Sequence, residues 1–262
     1  MLILVNNKFQ PAGQTQLPLD LDLLRGYGVF ETLRTYGERE FFLVTKHLAR
    51  LFTSAKKIGL KIKYNQQQLL TMLRKISQHS PYKEQRIKIV ALPKSVLVFS
   101  DKIKDCRQIQ QKGVKCLSVV CERYLPEVKS ISYLPSFLSH RKAEQQGYHE
   151  AILTDQQGEV YEGAYSSIFW FTKDNQLCTR PAKILPGLTR QTILRIAPFK
   201  INLQSISLAN LKLMPEVFLT SSLQGLIPIR QIDRQKIGRP GPNTRKLQQA
   251  FQAEIEQCKT QL

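Results

Sequence analysis

The side chains most able to do chemistry are scattered along this 262-residue chain. Its histidines stand apart from one another, and none forms a recognisable pair of metal ligands. Its cysteines are odd in number and irregularly spaced, with no CxxC pair, which argues against a disulfide framework and against a zinc site. No metal site is therefore predicted, and free thiols fit a reducing cytoplasm. These residues are His47, His79, His140 and His149, and Cys106, Cys116, Cys121, Cys178 and Cys258.

Short motifs assign no reaction either. The sequence has no GxGxxG or Walker phosphate loop, no GxSxG nucleophile elbow and no HExxH zinc motif. Spacing alone therefore leaves the chemistry open.

The charge balance indicates an anionic partner. Lys and Arg number 39 against 20 Asp and Glu, so the formal net charge is +19. Such an excess is typical of proteins that bind nucleic acid or another anion. The basic residues are spread out, however, and short clusters such as Lys56-Lys57 lie on otherwise amphipathic segments. We therefore expect a small anionic substrate and no nucleic acid.

Composition excludes two further classes. The apolar fraction of 42% is too high for a disordered chain. No window approaches the roughly 20 apolar residues that a membrane span needs. The first 14 residues have neither the basic region nor the apolar region of a signal peptide. We expect a cytoplasmic protein that does not contact membranes, with one large domain or two of about 130 residues.

The first half of the chain alternates strand and helix patterns. Apolar residues at 48, 51, 52, 55 and 58 follow helical spacing, with Thr45 as the expected N-cap and Gly59 as the expected end. The other predicted elements of this half are a strand over Met1–Val5, a hairpin of Val29–Arg34 with Glu40–Val44, a helix through Leu69, Leu70, Leu73 and Ile76, and strands over Arg86–Leu92, Val96–Ser100 and Val114–Cys121.

The second half is richer in strands. A composition shift near residues 122–130 predicts two domains, 1–122 and 123–262, and an α+β fold overall. The elements predicted here are a helix over Ser136–Gln146, hairpins of Glu150–Thr154 with Glu159–Tyr161 and of Ser167–Thr172 with Leu177–Thr179, a helix over Thr189–Ile196, a strand over Val217–Thr220 before a polar loop at Ser221-Ser222, and a terminal helix over Asn243–Gln261.

Six segments, taken together and in order, resemble the fold-type IV pyridoxal-phosphate enzymes. This class IV aminotransferase family includes branched-chain and D-amino acid aminotransferases and aminodeoxychorismate lyase. The resemblance implies a D-amino acid aminotransferase-like fold of two α/β-type domains with pyridoxal 5′-phosphate between them, usually in a homodimer. The segments are Arg25–Arg34, His47–Leu51, Val128–Ser130, Gly158–Gly163, Ile184–Arg190 and Phe218–Arg230.

The resemblance assigns the reactive groups. Lys129 takes the place of the lysine that binds the cofactor covalently and then moves a proton. Glu162 corresponds to the carboxylate that favours a protonated pyridine nitrogen. Without the resemblance, Lys129 would be interpreted as a surface lysine and Glu162 as a surface glutamate of a hairpin.

Phosphate and ring contacts are implied in the same way. Arg50 matches the phosphate arginine of the family, although it falls off the apolar face of its helix and would otherwise be a solvated residue. The other implied contacts are the amides of Leu188 and Thr189 at a helix N-terminus, the hydroxyl of Ser222, Leu185 against the ring face, and Tyr133 at the ring hydroxyl, an alignment that needs a one-residue gap.

Two features favour the lyase within this family. The segment Leu219–Pro228 resembles the lyase-type NSLxGxxP, and Thr32 takes the place of a threonine implicated in the lyase reaction. The reaction would convert 4-amino-4-deoxychorismate to pyruvate and 4-aminobenzoate, a folate precursor. The alternative is an aminotransferase that acts on branched-chain or D-amino acids with a 2-oxo acid.

The segment Ile89–Lys94 lacks the usual Arg-Gly stretch, so the substrate-carboxylate contacts stay open. Lys88 could supply one, or be an exposed strand lysine.

Overall fold

The chain divides into two compact units. A computed structural model describes residues 1–11, 13–16, 21–238 and 240–262. The predicted boundary between residues 122 and 123 falls inside a segment of the second unit. The first unit comprises Met1–Lys104, Val128–Ser132 and Ile255–Leu262, and the second comprises Asp105–Glu127 and Tyr133–Glu254.

The first unit is built on a mainly antiparallel sheet. Its described strands follow the order β2-β1-β6-β5-β3-β4. Apolar residues of the sheet and of two amphipathic helices form its core, among them Leu33, Leu48, Leu73 and Ile87. The elements are β1 (Leu2–Val5), β2 (Lys8–Gln10), α1 (Leu21–Leu24), β3 (Val29–Tyr36), β4 (Glu40–Phe41), α2 (Val44–Lys57), α3 (Gln66–His79), β5 (Gln85–Ala91) and β6 (Val96–Lys102).

Strand β3 alternates between the core and the opposite face of the sheet. Its odd-numbered residues are buried and its even-numbered residues are partly exposed. This is the period-2 pattern of a strand with one covered face. The covered face lies against α2, which therefore meets the side chains of Val29, Glu31 and Leu33. Glu31 is the first polar residue on this buried face.

The expected N-cap of α2 is wrong. The helix begins at Val44, and its N-cap is Leu43, whose backbone is left-handed (φ 56°, ψ 30°) and whose side chain makes no capping bond. The hairpin strand before it ends at Phe41, so the chain must turn sharply into the helix within two residues. Thr45 thus lies in the first turn. The expected end is confirmed, because the chain leaves the helix at Ile58 and Gly59 has a positive φ of 72°.

The second unit contains the larger sheet. Its described strands run β12-β11-β10-β13-β14-β7-β8-β9, with β15 paired to β14. The elements are α4 (Arg107–Lys112), β7 (Val114–Val120), α5 (Leu134–Gln145), β8 (Glu150–Thr154), β9 (Val160–Gly163), β10 (Ser167–Phe171), β11 (Leu177–Thr179), α6 (Leu188–Ile196), β12 (Ile201–Leu203), α7 (Leu208–Leu211), β13 (Glu216–Ser221), β14 (Gly225–Ile232), β15 (Gln235–Lys236) and α8 (Pro242–Cys258).

Two predictions for this unit need correction. Residues 225–232, for which no strand was predicted, form the inner strand β14, which pairs with β13 and β7. The terminal helix ends at Cys258 rather than Gln261, because Thr260 instead pairs with Phe41 of β4. No described helix combines the length and the apolar character needed to cross a bilayer.

Candidate active site

A fully buried carboxylate connects β3 to α2 in the first unit. Glu31 is 0% exposed, and its two oxygens accept hydrogen bonds from one guanidinium: Arg50 Nε to Oε1 at 2.6 Å and Arg50 Nη2 to Oε2 at 2.8 Å. His47 Nδ1 lies 2.8 Å from Oε2. His47 and Arg50 are one turn apart on α2 and therefore share a helix face. Arg50 is 8% exposed, so it is not a solvated residue.

The charges of this cluster are complementary. Burial alone would raise the pKa of Glu31, but the Arg50 charge and the hydrogen bonds from Arg50 and His47 lower it to about 2. Burial lowers the pKa of His47, and the charges of Arg50 and Lys129 act in the same direction. His47 is therefore neutral at pH 7, and because a carboxylate only accepts, Nδ1 carries the proton of this bond. We call Glu31, His47 and Arg50 the buried cluster.

Lys129 is anchored beside the buried cluster. Its backbone N donates to Ser54 Oγ at 3.3 Å, and Ser54 lies one turn after Arg50 on α2. Its carbonyl oxygen accepts from Phe30 N at 2.9 Å, and Ser130 bridges to Val29. The backbone of residue 129 is thus fastened to both β3 and α2.

The opposite face of β3 carries the residues expected to meet a substrate. Lys129 Nζ lies 4.6 Å from the centre of the Phe30 ring, and Lys88 Nζ lies 4.4 Å from the same centre. Thr32 pairs directly with Lys88 across β3 and β5, which places both side chains on one face. The first unit therefore brings together Thr32, Lys88 and Lys129 around Phe30.

In the second unit, Glu162 is a buried carboxylate at the penultimate position of β9. It is 4% exposed. Arg123 Nη1 binds its Oε1 at 2.5 Å, and Leu185 N donates to its Oε2 at 3.1 Å. Both oxygens are thereby oriented. Sequence reasoning did not identify Arg123, and its signal was weak because it is one basic residue among many in a loop.

The segment that binds Glu162 leads directly into α6. Gly187 is the N-cap of this helix, and it has no side chain that could occupy the first-turn amides. Leu188 and Thr189, which supply those amides, are buried. A Cβ at Gly187 would lie 2.7 Å from Ser167 Oγ, so the helix start approaches β10 closely.

A hydroxyl that has no partner in the described part of the chain lies next to this helix start. Thr220 is 3% exposed, and its Oγ1 has no hydrogen-bond partner among the described residues. Thr220 pairs directly with Ser167, whose hydroxyl is the one that approaches Gly187. Ser222, the predicted donor, is half-buried two residues further along. The sequence prediction thus missed Thr220, and only its place opposite Ser167 reveals it.

Tyr133 lies at the start of α5. It is the half-buried N-cap residue of α5. Burial raises the pKa of Tyr165 to about 12, and Tyr133 contributes to that shift, so the two phenols are neighbours. The predicted contact of Tyr133 with a ring hydroxyl stays a prediction, as do the roles given to Leu185 and Ser222.

The groups in each unit suit a definite kind of ligand. The second unit joins a buried carboxylate, which can bind a cationic ring nitrogen, to a helix N-terminus with a spare hydroxyl, which can bind phosphate. The first unit supplies an amine at Lys129 and a guanidinium at Arg50. Taken separately, the groups of the second unit suit a ring nitrogen and a phosphate, and Lys129 of the first unit suits an aldehyde.

Known proteins are similar to this chain over almost its whole length. The chain is 28% identical to the D-alanine aminotransferase of Bacillus licheniformis, with 97% of each protein aligned. It is 27% identical to a putative branched-chain-amino-acid aminotransferase of Methanocaldococcus jannaschii, over 96% of this chain and 95% of the relative. The fold matches the crystal structure of the branched-chain aminotransferase from Thermoproteus uzoniensis with norvaline, at a TM-score of 0.89 and 25% identity, covering 99% and 98% of the two chains.

These findings confirm the predicted fold and the coarser resemblance. The relatives are named as aminotransferases, so they give no support to the finer expectation that the chain most resembles aminodeoxychorismate lyase. The family model described as amino-transferase class IV matches residues 28–232. Because that match extends over well more than half of the sequence, the chain belongs to the class IV aminotransferase family.

Proposed function

We propose that this protein is a pyridoxal-5′-phosphate-dependent aminotransferase that moves an amino group between a small amino acid and a 2-oxo acid. The main support is the hydrogen bond that Leu185 N donates to Glu162. It joins the buried carboxylate, which suits a ring nitrogen, to the segment that begins α6, which suits a phosphate. D-alanine and branched-chain amino acids are the first donors to test, since relatives named for both align over almost the whole chain.

The residues present fit this cofactor. Glu162 would bind the pyridine nitrogen, and the first-turn amides of α6 with the Thr220 and Ser222 hydroxyls would bind the phosphate. Thr220 supports this arrangement because its buried Oγ1 otherwise lacks a partner among the described residues. Leu185 would pack against the ring. When bound, pyridoxal phosphate supplies an electron sink for the carbon next to the amino group.

The chain's own residues supply the remaining steps. Lys129 Nζ would remove the proton from the α-carbon of the substrate and deliver it to the aldehyde carbon of the cofactor rather than back to the substrate. The double anchoring of its backbone to α2 and β3 fixes the starting point of that side chain. The ion pair with Arg123 holds Glu162 in place, and Glu162 would favour a proton on the ring nitrogen. Lys88 and Lys129 lie next to the same Phe30 ring. Lys88 would therefore be placed to bind the carboxylate of a substrate on the side where Lys129 acts.

A second candidate is aminodeoxychorismate lyase. The pairing of Thr32 with Lys88 favours it, because a hydroxyl and an ammonium group side by side suit a substrate with two carboxylates. Lys129 would then remove the proton from the amine-bearing ring carbon, and the enolpyruvyl group would leave as pyruvate. The segment Leu219–Pro228 supports this candidate as well.

The two functions differ in their need for a 2-oxo acid. Purified chain loaded with pyridoxal phosphate should convert D-alanine or L-leucine with 2-oxoglutarate, and Lys129→Ala should abolish the conversion. Lys115→Ala is the matched control, because Lys115 is an exposed strand lysine. Release of 4-aminobenzoate and pyruvate from 4-amino-4-deoxychorismate, without any 2-oxo acid, would establish the lyase instead. A chain that takes up the cofactor but catalyses neither reaction would contradict both.

A further inference from the structure

We infer that Glu31, supported by His47, is a positioning residue that orients the Arg50 guanidinium toward the phosphate of the cofactor. This inference rests on the proposed function and on the phosphate contact that the family resemblance predicts for Arg50. It goes beyond that function by giving a role to a carboxylate that contacts neither cofactor nor substrate in the scheme above.

The geometry leaves the guanidinium little rotational freedom. Nε and Nη2 bind the two oxygens of one carboxylate, and this bidentate arrangement defines the plane of the guanidinium. Glu31 is itself immobilised, since it belongs to the central stretch of β3 and is fully buried. His47 Nδ1 binds Oε2 from the same helix that carries Arg50. The direction of Arg50 is therefore determined by β3 and α2 together.

The charges indicate that Glu31 supports phosphate binding by orienting Arg50 and not by attracting the phosphate. Glu31 is anionic, Arg50 is cationic and His47 is neutral, so the buried cluster has no net charge. Glu31 thus weakens the Coulomb attraction between Arg50 and a phosphate. If attraction were all that mattered, removing the carboxylate would strengthen phosphate binding. If Glu31 acts by orienting Arg50, removing the carboxylate weakens phosphate binding.

Stability alone is a poor explanation for the buried cluster. A buried ion pair seldom stabilises a fold more than apolar residues of similar size would, because both charges must leave water. A bidentate pair on rigid elements does, however, supply the angular precision that anion recognition requires. This argument favours a role for the carboxylate in ligand binding.

Binding of pyridoxal 5′-phosphate and of pyridoxal, which lacks the phosphate, separates the possibilities. We expect Glu31→Asp and Glu31→Gln to raise the Kd for pyridoxal phosphate by about tenfold or more and to leave the Kd for pyridoxal within about twofold. Glu31→Asp keeps the buried negative charge, but its shorter side chain moves the carboxylate away from Arg50. This variant therefore tests the inference even if Glu31→Gln does not fold. Glu38→Gln is the matched control, because Glu38 is an exposed partner of Lys83.

A second variant tests the support from His47. His47→Ala should weaken binding of the phosphate form selectively, and His47→Asn, which keeps a donor near Glu31, should restore part of the affinity. In the Arg50→Ala background, Glu31→Gln should have little further effect on either ligand.

Three results would overturn the inference. They are tighter binding of pyridoxal phosphate by Glu31→Gln, equal weakening of both ligands, and unchanged binding by Glu31→Asp together with Glu31→Gln. If wild type binds pyridoxal phosphate, any of these removes the role of Glu31 and leaves the proposed function standing. Failure of wild type to bind the cofactor would overturn the proposed function itself.

Discussion

Glu31 connects the acid stability of the protein to its buried cluster. Its pKa is about 2 in the folded protein against an ordinary value of 4.5, because the interactions with Arg50 and His47 outweigh the effect of burial. The unfolded state therefore binds more protons between these two values. The stabilisation is complete above about pH 4.5 and is lost as the pH falls toward 2.

We accordingly expect Glu31→Gln to destabilise the protein by roughly 3 kcal/mol more at pH 5 than at pH 2, because the variant lacks the titrating group. Urea unfolding of wild type and variant at several pH values in this range measures the difference. Glu38→Gln should show a difference from wild type that hardly depends on pH. A constant difference for Glu31→Gln would contradict the assigned pKa direction.

Lys88 is the residue at which substrate specificity can be tested. Its ammonium group and that of Lys129 contact the same Phe30 ring, so we expect an amino acid that reacts at Lys129 to have its carboxylate within reach of Lys88. We expect Lys88→Met to raise KM for D-alanine about tenfold or more with a smaller change in kcat, and Lys88→Arg to retain most of the affinity.

A substrate without a carboxylate provides the control for this prediction. The conversion of ethylamine should not depend on Lys88. Arg86→Met serves as the matched variant, because Arg86 is exposed on the same strand and pairs with Asp101. Equal losses for D-alanine and ethylamine would show that Lys88 acts on the fold or on the cofactor rather than on the carboxylate.

At the scale of elements, the start of α6 is sensitive to a single methyl group. A Cβ at residue 187 would lie 2.7 Å from Ser167 Oγ, well inside van der Waals contact. We expect Gly187→Ala to destabilise the protein by about 1–3 kcal/mol and to weaken binding of pyridoxal phosphate, because the first turn of α6 must shift. Ser167→Ala in the same chain removes the clashing oxygen and should restore most of both losses. Thermal unfolding measures the loss of stability, and cofactor titration measures the loss of affinity. A Gly187→Ala protein with the stability and affinity of wild type would contradict the packing of Gly187 against Ser167.

Element prediction succeeded where the periodicity was strong. The helices through Leu48 and Leu73 and the two hairpins of the second unit have clear apolar spacing, and the structure places all of them. Strand β14 was missed because Pro228 lies inside it, and proline is unusual within an inner strand. A register shift between Ile229 and Gln231 also makes the pairing of β14 with β7 irregular.

Side-chain partners were harder to predict than elements. The sequence identified Arg50 and Glu162 through family resemblance, but it did not reveal that Glu31 binds Arg50 or that Arg123 binds Glu162. The sequence does contain a signal for the contact between Glu31 and Arg50. Glu31 occupies a buried position of an alternating strand, and His47, Arg50 and Ser54 form a polar stripe on the buried side of α2. A carboxylate and a polar stripe that are both buried must find each other or remain unsatisfied.

At the scale of the whole molecule, the first unit depends on chain segments that are far apart in sequence. It combines residues 1–104 with a five-residue segment that includes Lys129 and with the last eight residues. No local pattern reveals such an assembly, because periodicity reports neighbours along the chain only. The contribution of the C-terminal segment is visible at Thr260, whose backbone exchanges two hydrogen bonds with Phe41, of 2.7 and 2.9 Å.

This dependence can be tested by shortening the chain. A protein that ends at Cys258 loses both bonds to Phe41 and the interactions of Lys259 with Glu40 and Glu256. A protein that ends at Thr260 keeps them and loses only the last two residues. We expect the shorter protein to be less stable than the longer one by about 1–3 kcal/mol from the two backbone bonds. Because Phe41 is buried at the end of β4, two residues before the N-cap of α2, its amide should exchange with solvent faster in the shorter protein. Urea unfolding and hydrogen exchange measure the two effects, and equal values for the two truncated chains would show that Thr260 contributes nothing to the first unit.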